Sequence, residues 1–188
     1  YLQEHIRALQ TLQESGAYSA GYVDKPGANL VVRALEVYQA KETDLANLRQ
    51  YHPFPMVTDK ELYAHLLMPD ERSAVFGLQS QSARQYREQL GLHFFYMNVG
   101  RVNKPWIVRV ETPAWVVQDQ AALDHLHALV VQQCQLLGSR PYPYLLHRAH
   151  ETALVSMQEK EQVTLMLISE LRQQGIAPGD KSYKQSAK

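Results

Sequence analysis

Apolar positions recur at helical spacing from the first residues of the chain. Leu2, Ile6 and Leu9 fall on one face, and Gly16 stands where such a helix would stop. Residues 17–24 change period and are rich in Tyr, which predicts a strand with Asp24 at its C-terminal end. Lys25-Pro26-Gly27 is a turn, and Leu30, Val31, Ala34, Leu35 and Tyr38 then give the next helix a single apolar face. Residues 41–69 read as a connecting helical insertion, within which Thr58 and Glu61 have the spacing of a capping box. A short strand is predicted over 73–78 and a helix over 82–90, closed by Gly91.

The clearest strands come next. Residues 92–99 and 106–111 flank Gly100-Arg101-Val102-Asn103-Lys104-Pro105, the pattern of a β-hairpin with a longer turn. Pro113 ends the hairpin, and residues 119–137 form a helical pattern stopped by Gly138. Pro143 suits a first helical position, so a last helix is predicted from about Tyr142 to about Gln174, ahead of Gly175. Its inward positions, Leu146, Ala149, Ala153, Met157, Thr164, Ile168 and Leu171, are apolar apart from Thr164. The sequence therefore predicts one α/β domain over residues 1–175 and a mobile tail over 176–188.

Composition narrows the class. The 188 residues, 45% hydrophobic and 20% charged, suit a soluble globular domain. With 19 basic and 19 acidic side chains the net charge is zero, so the chain lacks the basic excess of proteins that hold duplex DNA mainly by phosphate neutralisation. Cys134 is the single cysteine, which excludes an internal disulfide and fits a small buried hydrophobe within a helix. No run reaches the roughly 18 apolar residues of a membrane span, and no export signal is visible, so the cytoplasm is the expected compartment. The chain opens within a helical pattern that has no start signal, which suggests the C-terminal part of a longer protein.

Two side chains stand out as candidate metal ligands. A carboxylate at a strand-to-helix junction, such as Asp24, lies where ligands gather in α/β folds. His150 is an imidazole from a distant segment. Hydrolysis of a phosphodiester commonly uses divalent ions held by carboxylates and sometimes imidazole, and an oxygen plus a nitrogen ligand favours Mn2+ over an all-oxygen Mg2+ site. Simpler roles stay open for each: Asp24 as the cap of the following helix, His150 as a core histidine beside Leu146, Ala149 and Ala153, and Tyr142 and Tyr144 as packing at a helix start. His147 competes with His150 as a ligand, and Glu111 fits a cross-strand pair. His125 and His127, two apart on a helix, face different ways and make no metal pair.

Several separated segments agree in order with one family. Gly21-Tyr22-Val23-Asp24-Lys25-Pro26 is followed by Val31-Val32-Arg33. Phe94-Phe95-Tyr96-Met97-Asn98 precedes Arg109-Val110-Glu111-Thr112-Pro113, and Tyr142-Pro143-Tyr144 comes with Leu146 and Ala149-His150. Together they resemble the NurA family of DNA-end-processing nucleases, with the specific part of the likeness over residues 21–156. The resemblance implies an RNase H-like α/β fold, a mixed sheet flanked by helices, and a ring-shaped homodimer. It further implies Mn2+-dependent, or alternatively Mg2+-dependent, 5′ to 3′ exonuclease activity on linear DNA ends, single- or double-stranded, in the resection of double-strand breaks. The implied partner is a HerA-like hexameric ATPase.

By position in the motifs, Asp24 would be a metal-binding carboxylate, His150 the histidine of the site, and Tyr142 the tyrosine that orients water or phosphate, with Tyr144 adjacent to it. Arg109 and Lys25 become candidates for contact with DNA phosphates, Lys25 also fitting plain exposed charge. One departure is the missing Asp-Gly-Ser segment that carries the family's first metal-binding Asp, together with the further acidic ligand that follows it; Glu4 and Glu14 do not fit those places. The N-terminal part of the domain is thus expected to be absent, and this stretch alone to bind Mn2+ weakly and cleave little. The alternative is a non-catalytic interaction or dimerisation module that docks the ATPase.

Overall fold

A computed structural model describes residues 2–79, 85–86, 88–153 and 156–176. The chain divides into two compact units, Tyr1–Leu145 and Leu146–Lys188. The first unit is α/β and holds a four-stranded sheet in the order β1 (Gly21–Val23), β4 (Ile107–Pro113), β3 (Leu92–Asn98), β2 (Phe76–Gly77). Where a mixed sheet is expected, each of these pairings is antiparallel: the direct turn between β3 and β4 requires it there, and β1 and β2 pair antiparallel with their outer edges.

The central hairpin is buried on both faces, so helices must cover both. Phe95, Met97, Val108 and Val110 point to one side, where they meet Val116 of α5 (Ala114–Val117) and Ala122, Leu123 and Leu126 of α6 (Gln120–Gln135). Phe94, Tyr96 and Ile107 alternate to the other side and meet Val31 of α2 (Leu30–Gln39) and Tyr63 of α4 (Asp59–Leu66). The remaining helices of this unit are α1 (Leu2–Glu14), which Gly16 follows at φ +73°, and the short α3 (Glu42–Leu45).

The hairpin turn is closed by a buried amide. Asn98 Oδ1 accepts from the backbone N–H groups of Gly100 (3.0 Å) and Trp106 (3.1 Å), while its Nδ2 donates to the Leu67 carbonyl (2.9 Å). Gly100 is required by close approach: a Cβ there would lie 2.3 Å from Trp106 N and 2.4 Å from Lys104 O.

Several expected elements take a different form. The strand predicted over 17–24 pairs only at Gly21–Val23, because the carbonyls of Ser19 and Ala17 are bound by the Thr112 hydroxyl (2.8 Å) and the Trp115 indole (3.4 Å) instead of by a ladder. Thr58 and Glu61 form the capping box of α4 as their spacing predicts. The insertion before it is pinned through buried Glu36, which accepts from Arg33 (2.7 Å) and the Phe54 N–H (3.1 Å). The Arg33 guanidinium is the main cause holding that carboxyl below its usual range. Residues 82–84 and 87 of the helix predicted over 82–90 lie outside the described residues, and its end is a 3-10 turn at Glu88–Leu90.

The single last helix is two, α7 (Tyr144–Ala153) and α8 (Met157–Gln173). Ser156 caps α8, its hydroxyl accepting from the Glu159 N–H at 3.1 Å while the Glu159 carboxylate accepts from the Ser156 N–H at 2.8 Å. This capping box sits inside the apolar periodicity that had suggested continuity. The positions read as inward are not core: Leu146, Ala149 and Ala153 are exposed, and Thr164, Ile168 and Leu171 are half-buried. Of the predicted tail over 176–188, residues 177–188 lie outside the described residues. No helix among the described residues is long and apolar enough to cross a membrane.

Asp59 is fully buried and joins the two layers of this face. Its Oδ1 accepts from the N–H groups of Val31 (3.0 Å) and Val32 (2.8 Å), capping α2, and its Oδ2 accepts the Tyr96 hydroxyl at 2.6 Å. Asp59→Ala would strand all three donors in an apolar layer, so urea denaturation should show a loss of about 3 kcal/mol in unfolding free energy. A loss below about 1 kcal/mol would mean that water replaces the carboxylate.

Candidate active site

A cleft of about 730 Å3 opens in the first unit, between the β3–β4 turn, the end of β1 and the loop after α6. Asp24 follows β1 directly. The antiparallel register sets Val23 against Arg109, which brings Asp24 beside the start of β4, where the Trp106 indole N–H donates to Asp24 Oδ1 at 3.0 Å. Asp24 is half-buried and the indole is its described hydrogen-bond donor, so one carboxylate oxygen is held and the other is left for a ligand.

Tyr142 lines the same cleft and meets Tyr22 edge to face, with ring centroids 5.5 Å apart. Behind them Cys134 of α6 is 3% exposed, its sulfur 3.8 Å from the Tyr22 hydroxyl. Burial pushes the Tyr22 hydroxyl far above its ordinary range and the Cys134 thiol up to about 11, the negative charges of Asp24 and Asp70 adding to the thiol's shift. Both groups therefore stay protonated at neutral pH. The cleft wall is uncharged where Cys134 lines it.

Asp70 is the second carboxylate on the cleft. It stands in the left-handed region at φ +64°, its N–H donates to the Asn98 carbonyl at 2.8 Å, and its Oδ2 accepts from Gln135 at 3.3 Å. Arg101 and Lys104 of the hairpin turn and Arg140 of the loop after α6 complete the charged lining. Carboxylate, phenol and cations on one concave surface can hold a phosphorylated ligand and orient water against it.

Of the predicted site residues, Asp24 and Tyr142 are brought together on this cleft. Asp24 does not cap α2, a role that Asp59 fills. His150 belongs to the second unit, on α7, where it is exposed; its competitor His147 sits 3.3 Å from Glu151 as an i, i+4 pair. Tyr144 is exposed. Arg109 alternates with Val108 and Val110, so it lies on the sheet face opposite the Tyr22 side, bound to Glu111 at 2.6 Å with its guanidinium 5.9 Å from the Phe94 ring centroid. Its charge is neutralised within β4, and Glu111 is occupied along its own strand instead of across to a neighbour. Lys25 is exposed in the turn after Asp24. Among the described residues no three His, Cys, Asp or Glu side chains gather as a metal-holding group.

Sequence reasoning missed Trp106, Asp70, Arg101, Lys104 and Arg140. Asp70 had a local signal in Pro69-Asp70, a turn dipeptide, and Arg101 and Lys104 fall within the turn that was predicted. Only the register of β1 against β4 reveals that Trp106 meets Asp24.

Comparison with known families finds that the NurA domain matches residues 1–155. No curated protein and no solved structure matches the chain.

The shifted hydroxyl and thiol predict an alkaline transition. Tyr22 and Cys134 bind their protons more tightly folded than unfolded, so the stability they contribute is complete below the ordinary thiol value of 9.0 and is lost as pH rises, for the thiol by about 11. Denaturation at pH 8 to 11 should show falling stability, with a shallower fall in Cys134→Val; equal slopes would contradict the burial account. Native Cys134 should also resist thiol reagents at pH 8 until denaturant is added.

Proposed function

Because the chain belongs to the NurA family, whose function is nuclease-related, we propose that it carries part of the active site of a DNA nuclease that hydrolyses phosphodiester bonds 5′ to 3′ from linear ends, in the resection of double-strand breaks. The observation that supports this reading best is the Asp24 carboxylate, fixed by the Trp106 indole at the edge of a cleft that also holds Tyr142 and three cationic side chains. The proposed cofactor is Mn2+, with Mg2+ as the alternative, and Asp24 and His150 are its proposed ligands. Since the described residues gather no group of three donors, these two would be only part of its coordination.

The chain's own residues have separable parts in this proposal. Trp106 keeps Asp24 in one rotamer and satisfies one of its oxygens, so the carboxylate presents a fixed oxygen to the cleft. The Tyr142 hydroxyl would orient water or the scissile phosphate, its ring packed edge to face with that of Tyr22. Lys25, exposed beside Asp24, is retained as a phosphate contact; Arg109, paired with Glu111, is assigned a structural role. An RNase H-like core, to which the antiparallel sheet would contribute its hairpin, a homodimer and a HerA-like ATPase partner belong to the same proposal.

A second reading is favoured by the exposed apolar side chains of α8, among them Val163, Met166 and Leu167. It makes the chain a scaffold that dimerises or docks the ATPase. Mn2+-dependent degradation of end-labelled linear DNA separates the two. The nuclease reading expects Asp24→Asn to lower the rate on the order of 10²-fold or more and Trp106→Phe by about 10-fold, with the fold intact by circular dichroism. Unchanged rates in Asp24→Asn would remove Asp24 from the site, and no degradation by the unaltered protein would leave the scaffold reading.

A further inference from the structure

The β3–β4 turn carries an unfavourable arrangement of charge. Arg101 and Lys104 are directly opposed in an isolated antiparallel bridge, exchanging both backbone hydrogen bonds at 3.0 and 2.9 Å. Residues opposed in this way project to the same side of the hairpin, where like charges are destabilising. A third cation, Arg140, lines the same cleft from the loop after α6, and the Arg101 guanidinium ties that loop to the turn by donating to the Gly138 carbonyl at 3.2 Å.

Among the described residues no salt bridge pairs Arg101, Lys104 or Arg140 with a carboxylate; the two acids that share the cleft, Asp24 and Asp70, accept from the Trp106 indole and from Gln135, and the cations outnumber them. Rigid backbone holds the turn in this state, through the Asn98 amide and the space at Gly100 that admits no Cβ. Three cations without an ion pair, held on one wall of a cleft by a fixed turn, point to a ligand that brings negative charge to that wall.

We infer that Arg101, Lys104 and Arg140 form an anion subsite that binds a backbone phosphate of a DNA strand, one other than the phosphate at Asp24. The inference rests on the proposed nuclease function for the identity of the ligand, and the chemistry it requires is that of a phosphodiester. Arg101 also braces the loop after α6, so Lys104 and Arg140 are the residues to vary.

The test is binding without cleavage. Anisotropy of a fluorescein-labelled single-stranded oligonucleotide is followed over a range of NaCl in EDTA, with the full chain. Lys104→Gln and Arg140→Gln should each lower the slope of log K against log salt by about 0.7, and the double variant by about 1.4. Lys104→Arg and the surface variant Lys60→Gln should leave it unchanged. A methylphosphonate strand of the same sequence should bind no better than the double variant binds DNA, and inorganic phosphate at millimolar concentration should not displace the DNA; displacement would assign the subsite to free phosphate and overturn the inference. An unchanged slope in the folded double variant, or no binding by the unaltered chain at 50 mM NaCl, would also overturn it. Because no divalent ion is present, a slope loss with an inactive protein supports the subsite while the nuclease reading fails. Full degradation activity with an unchanged slope does the reverse.

Discussion

The side-chain amide of Asn98 sets the geometry on which the site depends. It is buried, it accepts from two backbone N–H groups across the β3–β4 turn, and it donates to a carbonyl in the loop after α4. An amide can satisfy both demands at once because it carries an acceptor and a donor on one short side chain; a carboxylate would leave the carbonyl unpaired in the interior, and an aliphatic isostere would leave the carbonyl and both N–H groups unpaired. Through those bonds the turn is closed at a fixed width, Trp106 leaves it in a fixed direction, and the indole reaches Asp24. The same closure opposes Arg101 and Lys104.

Everything else in the first unit supports that hairpin. Its strands are apolar on both faces, which obliges α5 and α6 to cover one side and α2 and α4 the other. The buried carboxylate of Asp59 is tolerated because it has three donors, and it links the cap of α2 to the hydroxyl of Tyr96 on β3. On the cleft side, Tyr22 and Cys134 are kept neutral by burial, so the charge facing a ligand comes from Asp24, Asp70 and three cations. That surface is mixed in sign although the whole chain is neutral, which is why net charge was a poor guide to what the cleft could hold.

What was legible in the sequence were features carried by local period and punctuation. The hairpin, the capping box at Thr58, the helix over 120–135 with its stop at Gly138, and Asp24 at the end of a strand are all short-range signals. Cys134 as a small buried residue was legible for the same reason. The break at Ser156 was also local, but the apolar spacing on either side of it remained in phase and concealed the cap. The illegible part depends on register and long-range contact. Nothing near Asp24 announces Trp106, 82 positions away, and nothing near Arg109 announces that alternation along β4 turns it from the cleft and toward Phe94. The antiparallel direction of the sheet is not legible either, because alternation marks a strand without giving the direction of the strand it pairs with.

The divalent ion proposed at Asp24 is open to direct test through the two tryptophans. Trp106 donates its indole N–H to Asp24, whereas Trp115 donates its own to the Ala17 carbonyl. In a 15N-labelled sample titrated with substoichiometric Mn2+, paramagnetic broadening should remove the Trp106 indole signal well before that of Trp115, and Asp24→Asn should abolish the difference. Loss of both signals at the same Mn2+ concentration, or of neither, would contradict a metal site at Asp24.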